Sequence, residues 1–138
     1  MRHPRKILFL CLGNTCRSPM AEGLARALGR GWLRPASAGL NPGTEVSPEA
    51  VAVMAEEGID ISGHRPRLLT SEAARETDLL GTLGVDLPAA MPAGGRRVAW
   101  DIPDPFGEGI AGFRATRDLI RGHLVDLLID LASEPGKR

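Results

Sequence analysis

The stretch that most constrains this chain lies near its amino terminus. There the short apolar run Ile7-Leu8-Phe9-Leu10-Cys11 empties into Leu12-Gly13-Asn14-Thr15-Cys16-Arg17-Ser18-Pro19. An unbroken apolar run of this length reads as a strand buried on both faces of a parallel sheet. Serine followed by proline is a helix start: Ser18 is expected to cap it, Pro19 fits the first turn, and Glu22 adds negative charge there. Strand, loop and helix in that order put the loop at the carboxyl end of a strand in an open α/β sheet, where ligands bind.

The rest of the chain continues the alternation. Met20, Leu24, Ala27 and Leu28 give the first helix an apolar stripe that ends at Gly29 to Gly31. Trp32 to Ala38 reads as a second strand. Ser47-Pro48 repeats the helix start for a segment carrying Val51, Met54 and Ala55, with Gly58 as its C-cap. Ile59 to Leu69 is a connector, followed by a short helix from Ser71 to Arg75. Asp78 to Leu83 is a third strand, Gly84 to Arg96 a loop, and Arg97 to Asp101 a fourth strand running into Asp101-Ile102-Pro103-Asp104-Pro105. Phe113, Ile120, Leu124, Leu127, Leu128 and Leu131 recur at helical spacing in a long terminal helix. The expected fold is α/β, a three-layer sandwich around a four-stranded, mostly parallel sheet, in one domain over residues 1–138.

Composition narrows the function classes. With 17 basic and 17 acidic residues among 138, the chain lacks the basic excess that marks a nucleic-acid partner. No run approaches the roughly 18 apolar residues of a membrane span. Arg2, Arg5 and Lys6 before the first apolar run suggest a signal peptide, but the run is short and no small-residue cleavage site follows. A cytoplasmic protein is expected, in which the two cysteines are more often chemistry than cross-link. His3, His64 and His123 are scattered, so neither a metal site nor another cofactor is expected.

Cys11 and Arg17 are separated by five residues. Such a segment can curl so that its backbone N–H groups converge with those of the helix start into an anion site, and Gly13 and Asn14 tolerate the left-handed backbone a curl needs. Arg17 supplies a permanently charged, planar fork for an oxyanion. Cys11, facing this positive potential, is expected as a thiolate, and Ser18 can hydrogen-bond its sulfur. A nucleophilic sulfur inside a tetrahedral-oxyanion cradle implies attack on phosphorus, or on a phosphate mimic, through a covalent cysteinyl intermediate. Leu12, Gly13, Asn14, Thr15, Cys16 and Ser18 are the expected binding residues. The gap between the cysteines differs from that of thioredoxin-like motifs, and no glycine-lysine-serine nucleotide loop is present.

With those residues in view, the sequence resembles the low-molecular-weight protein tyrosine phosphatases and the arsenate reductases that share their fold, over nearly the whole chain. Cys11 to Pro19 resembles the phosphate-binding loop, Ser37-Ala38-Gly39 the stretch after the second strand, and Gly58-Ile59-Asp60-Ile61-Ser62-Gly63-His64-Arg65 the segment after the second helix. The resemblance implies Cys11 as nucleophile, Arg17 as transition-state clamp, Asn14 and Ser18 as loop-shaping and sulfur-assisting residues, and Asp104 as general acid. Asp101 is the rival acid. A mobile carboxylic acid supplies the proton a phosphate-ester leaving group needs and then takes one from the hydrolytic water.

Two branches remain. Asp78 to Asp86, Met91-Pro92 and Trp100 resemble the thioredoxin-coupled reductases, whose two relay cysteines fall by spacing at Gly84 and Met91. Neither residue exchanges disulfides, so arsenate reduction here calls for an outside thiol such as glutathione, mycothiol or a glutaredoxin. The phosphatases carry tyrosines after the Asp-Pro turn; this chain has Phe106 there and no tyrosine. Phe106, with Trp32 or Leu40, lines a shallow substrate pocket in one reading and is core packing in the other. Cys16 is a guard that traps oxidised Cys11 as a disulfide, or a small buried side chain. His64 and Arg65 either reach the substrate or lie in solvent. The leading expectation is a phosphomonoesterase acting on a phosphate ester or phosphoprotein. The alternatives are an arsenate reductase taking arsenate plus a thiol, and a non-catalytic oxyanion-binding relic.

Overall fold

The computed structural model describes residues 3–92 and 94–134. Eight elements follow one another: β1 (Arg5–Cys11), α1 (Arg17–Leu28), β2 (Leu33–Gly39), α2 (Pro48–Ala55), α3 (Ser71–Arg75), β3 (Leu79–Leu83), β4 (Arg96–Trp100) and α4 (Gly109–Ser133). The strands form one sheet in the order β2-β1-β3-β4, and all three pairings are parallel. Parallel pairing needs crossovers: α1 lies on the one from β1 to β2 and α2 and α3 on the one from β2 to β3, while β4 follows β3 with no helix between them in the element order.

β1 is one of the two interior strands, and its alternation divides the core. Ile7, Phe9 and Cys11 point into the larger cluster with Met20 and Leu24 of α1, Val53 and Met54 of α2, and Phe113, Ile120, Leu124, Leu127 and Leu131 of α4. Leu8 and Leu10 point to the other face, where Ala38, Leu69, Ala74 and Leu80 form a smaller cluster. The three layers are therefore unequal. Three helices cover one face, while α3 and the connectors carrying Val85, Leu87 and Met91 cover the other. Arg117 of α4 ties the thick layer together, donating to the Val53 carbonyl at 2.8 Å and pairing with Glu56 at the end of α2. Among the described residues, no helix is long and apolar enough to cross a membrane.

The helix starts are instructive. Ser47 and Thr70 cap α2 and α3 as their sequences require, accepting from Ala50 N and Ala73 N. At α1 the expected cap is displaced: the helix begins at Arg17, Cys16 occupies the cap position, and no side chain caps it. Ser18 stands inside the first turn because its hydroxyl is used elsewhere, as described below. Pro19 remains tolerated there, since first-turn N–H groups have no helical partner. Glu22 consequently falls outside the first turn.

All four strands end at the same rim. β1 and β3 are adjacent, yet the chain leaves β1 toward β2 on one side and returns to β3 on the other. That reversal is the switch point at which open α/β sheets hold ligands.

Candidate active site

The segment from Cys11 to Arg17 wraps around a point beyond the end of β1. Its carbonyls show which way the curl faces. Cys11 O accepts from Leu40 N, Leu12 O from Asn41 N, Gly13 O from Gly43 N and Thr15 O from Ser47 N, at 2.8 to 3.2 Å. Asn14 O lies 3.1 Å from His64 Nε2. In a trans peptide the carbonyl and the following N–H point opposite ways. Five carbonyls turned outward therefore turn the N–H groups of residues 12–16 inward, toward the start of α1, and make an anion cradle. The outer wall is residues 40–47 after β2. It comes close because Gly39 has no side chain: a Cβ there would stand 2.8 Å from Leu12 O.

Asn14 is the keystone of the curl. It is the one described non-glycine residue with positive φ, at 53°, a conformation asparagine tolerates. Its amide nitrogen donates to Ser18 Oγ (2.8 Å) and Ser37 Oγ (3.0 Å), while its Oδ1 accepts from Arg67 N at 3.0 Å. Ser37 Oγ in turn donates to Glu22 Oε1 at 2.6 Å. Because Ser18 Oγ accepts from Asn14, its hydrogen is free to donate to Cys11 Sγ, 2.9 Å away. Ser18 N–H also reaches that sulfur, at 3.4 Å. Two donors aimed at one sulfur stabilise negative charge on it.

Arg17 is buried at the mouth of the cradle. A cation at a helix start opposes the helix dipole, but the side chain leaves the helix for carbonyls: Nη1 donates to Leu83 O (3.1 Å), at the end of β3, and to Ile102 O (2.9 Å), in the turn after β4. This anchors one side of the guanidinium. Its Nε is buried without a hydrogen-bond partner, and Nη2 lies 3.8 Å from Asp104 Oδ2. The Nε–Nη2 edge is the pair of donors that fits two oxygens of a tetrahedral anion.

Asp104 belongs to the turn after β4. Its Oδ1 accepts from Phe106 N at 3.0 Å and from the Cys16 thiol at 3.8 Å. Cys16 is held protonated, pushed up to about 11 by burial and then by the charges of Cys11 and Asp104. Both cysteines are buried free thiols. Asp101, the rival acid, is exposed just past the end of β4.

Phe106 is 86% exposed and is not core. Leu40 borders the cradle through its bond to Cys11 O. Trp32 does not: its carbonyl accepts from Arg5 N, at the opposite end of strands whose register runs from Arg5↔Leu33 to Cys11↔Gly39. Met91 packs on the smaller core cluster. Arg65 is exposed, whereas His64 is largely buried under the loop, between Asn14 and Glu22. Ser37, His64 and the Arg67 backbone N–H thus hold Asn14. Only the Ser-Ala-Gly stretch and the segment ending at His64-Arg65 hinted at them, and nothing in the sequence singled out Arg67.

Known proteins share this fold and much of its sequence. The chain is 34% identical over 131 residues to the glutaredoxin arsenate reductase of Synechocystis, covering 93% of this chain and 99% of that protein. A solved arsenate reductase in its phosphate-binding state superimposes with TM-score 0.80 at 33% identity, covering 92% of this chain and 98% of that one. The YwlE arginine phosphatase of Geobacillus stearothermophilus superimposes with TM-score 0.81 at 30% identity, over 94% of each. Names for hydrolysis and names for reduction thus attach to one scaffold. The model for low molecular weight phosphotyrosine protein phosphatase matches residues 6–137, and the chain belongs to that family.

Proposed function

We propose that this chain is a cysteine-dependent phosphomonoesterase. The observation that carries the reading is Asp104, a half-exposed carboxyl beside Arg17 and Cys16 at the mouth of the cradle. Attack by Cys11 Sγ on phosphorus forms the S–P bond as the P–O bond to the leaving group breaks. Asp104 gives that oxygen its proton. The deprotonated Asp104 then takes a proton from water as the water oxygen attacks phosphorus, releasing phosphate and the Cys11 thiolate. Inward N–H groups and the Arg17 edge hold the three non-bridging oxygens throughout. Every group these steps need belongs to the chain.

A second reading is favoured by the relatives named arsenate reductases. Here Cys11 attacks arsenic(V) and displaces water. An external thiol then attacks Cys11 sulfur, the S–As electron pair leaves with arsenic, and arsenite departs. A second thiol resolves the mixed disulfide. Two thiols are oxidised to one disulfide for each arsenate reduced. The chain provides no relay of its own at residues 84 and 91, so the reductant is a small thiol or a glutaredoxin-type protein.

One paired assay separates the readings: p-nitrophenyl phosphate hydrolysis and thiol-dependent arsenite release, on wild type and Cys11→Ser. Hydrolysis lost in Cys11→Ser supports the first; arsenite release with hydrolysis absent overturns it. Phosphate binding with neither turnover leaves a binding protein.

A further inference from the structure

Gly84 occupies one of the two positions where the relay cysteines of related reductases would stand, and its surroundings give the vacancy of side chain a purpose. Its backbone is left-handed, φ +68°, and its N–H donates to Trp100 O at 2.9 Å. A Cβ on this residue would stand 2.5 Å from Arg17 Nη1 and 2.3 Å from Ile102 O. Those are the donor and acceptor of the 2.9 Å bond that seats the arginine. No real Cβ tolerates such distances: the Ile102 carbonyl and the guanidinium must both give way, and either shift breaks the bond between them.

We propose that Gly84 is a positioning residue that sets the orientation of Arg17. Resting on the reading that the loop holds an oxyanion, this goes further: any side chain at 84 displaces Nη1 from Ile102 O and rotates the Nε–Nη2 edge away from the bound anion. A thiol at this position carries the same Cβ. In this backbone, therefore, a relay sulfur at 84 and a seated Arg17 exclude each other, and restoring cysteine there weakens anion binding instead of restoring reduction.

Left-handed strain alone is the competing explanation for any effect of substitution, and two comparisons separate them. Gly58 has φ +73° with nothing within 4 Å of its Cβ position, so Gly58→Ala carries the strain without the collision. Asparagine tolerates positive φ but has a Cβ, so Gly84→Asn carries the collision with less strain. The test is calorimetric titration of inorganic phosphate into wild type, Gly84→Ala, Gly84→Asn and Gly58→Ala, with thermal unfolding as the folding check. Both Gly84 variants should bind about ten-fold more weakly or worse, the cost of a misplaced charged hydrogen bond, while Gly58→Ala stays within about two-fold. In an Arg17→Lys background, adding Gly84→Asn should change affinity by less than about two-fold, because the two act through one contact.

Wild-type affinity in Gly84→Asn overturns the proposal, as does an undiminished effect in the Arg17→Lys background. Because the readout is phosphate binding, absence of hydrolysis in wild type would sink the phosphomonoesterase reading and leave this result standing.

Discussion

Arg17 and Asp104 face each other at 3.8 Å across the cradle mouth, the arginine side chain 6% exposed and the carboxylate 48%. The cation is fixed by two carbonyls, while the anion sits on a solvent-facing turn. Such an asymmetric pair suits an acid that must approach successive groups. Asp104→Asn should lower kcat by about 10²- to 10⁴-fold on an alkyl phosphate and far less on p-nitrophenyl phosphate, whose leaving group needs no proton. Equal losses on both substrates would remove Asp104 from the acid role.

Ser18 is the only hydroxyl donating to Cys11 sulfur among the described residues. Ser18→Ala removes a charge-assisted hydrogen bond, and kcat should fall about ten-fold or more. The lost bond stabilises sulfur as it leaves phosphorus, so stopped-flow traces should show a nitrophenol burst. An unchanged kcat would mean the bond has no catalytic part.

Cys16 and Cys11 should separate by chemical reactivity. With its value near 11, Cys16 is thiolate in roughly one molecule in 10⁴ at neutral pH. Iodoacetamide followed by peptide mass spectrometry should mark Cys11 and spare Cys16. The folded value lies above the ordinary 9.0, so the contribution of this thiol to stability is fully present below pH 9 and is lost as pH rises through about 11. Cys16→Ala should flatten that alkaline loss in thermal unfolding.

At the acid end the sign reverses. Glu56 is held down at about 2 by hydrogen bonds from Arg114 and then Arg117, which join the end of α2 to α4. Its contribution to stability is present above pH 4.5 and disappears as pH falls through about 2. Glu56→Gln should lower Tm at neutral pH, with the gap to wild type closing as pH drops toward 2. A gap constant with pH would refute the ion pair as its cause.

Phe106 is 86% exposed, directly after the acid-bearing turn. Phe106→Ala should leave Tm unchanged and raise KM several-fold for aryl phosphates only, since its ring is the aromatic surface the turn offers. Identical KM values on aryl and alkyl substrates would sink that role.

Element types were readable from the sequence because each follows a local rule. β1 announced itself by an apolar run buried on both faces, and α2 and α3 by capping residues. The cradle was readable because Gly13, Asn14 and Arg17 declare their physics by residue type. Long-range choices were not. Ser18 is a good cap by composition, yet tertiary contacts with Cys11 and Asn14 take its hydroxyl. His64 looks like a loop residue until Asn14, 50 positions away, is placed above it. Trp32 leads into β2, and parallel pairing carries that end to the rim opposite the cradle, a consequence that its residue type alone does not announce. The part of Gly84 was equally invisible, since a glycine shows nothing of what fills the space beside it.

The strand order has a consequence for how such a chain can diversify. What grips an anion, from Cys11 to the wall and the residues bracing Asn14, is contributed by residues 11–67. In the proposed mechanism, what happens to the gripped group falls to Asp104 and Phe106, on a loop delivered by β4 at the far edge of the sheet. The two halves meet where Arg17 rests on Leu83 and Ile102. Insertions, deletions or thiols can accumulate in the later loops without loosening the grip, provided that joint is spared.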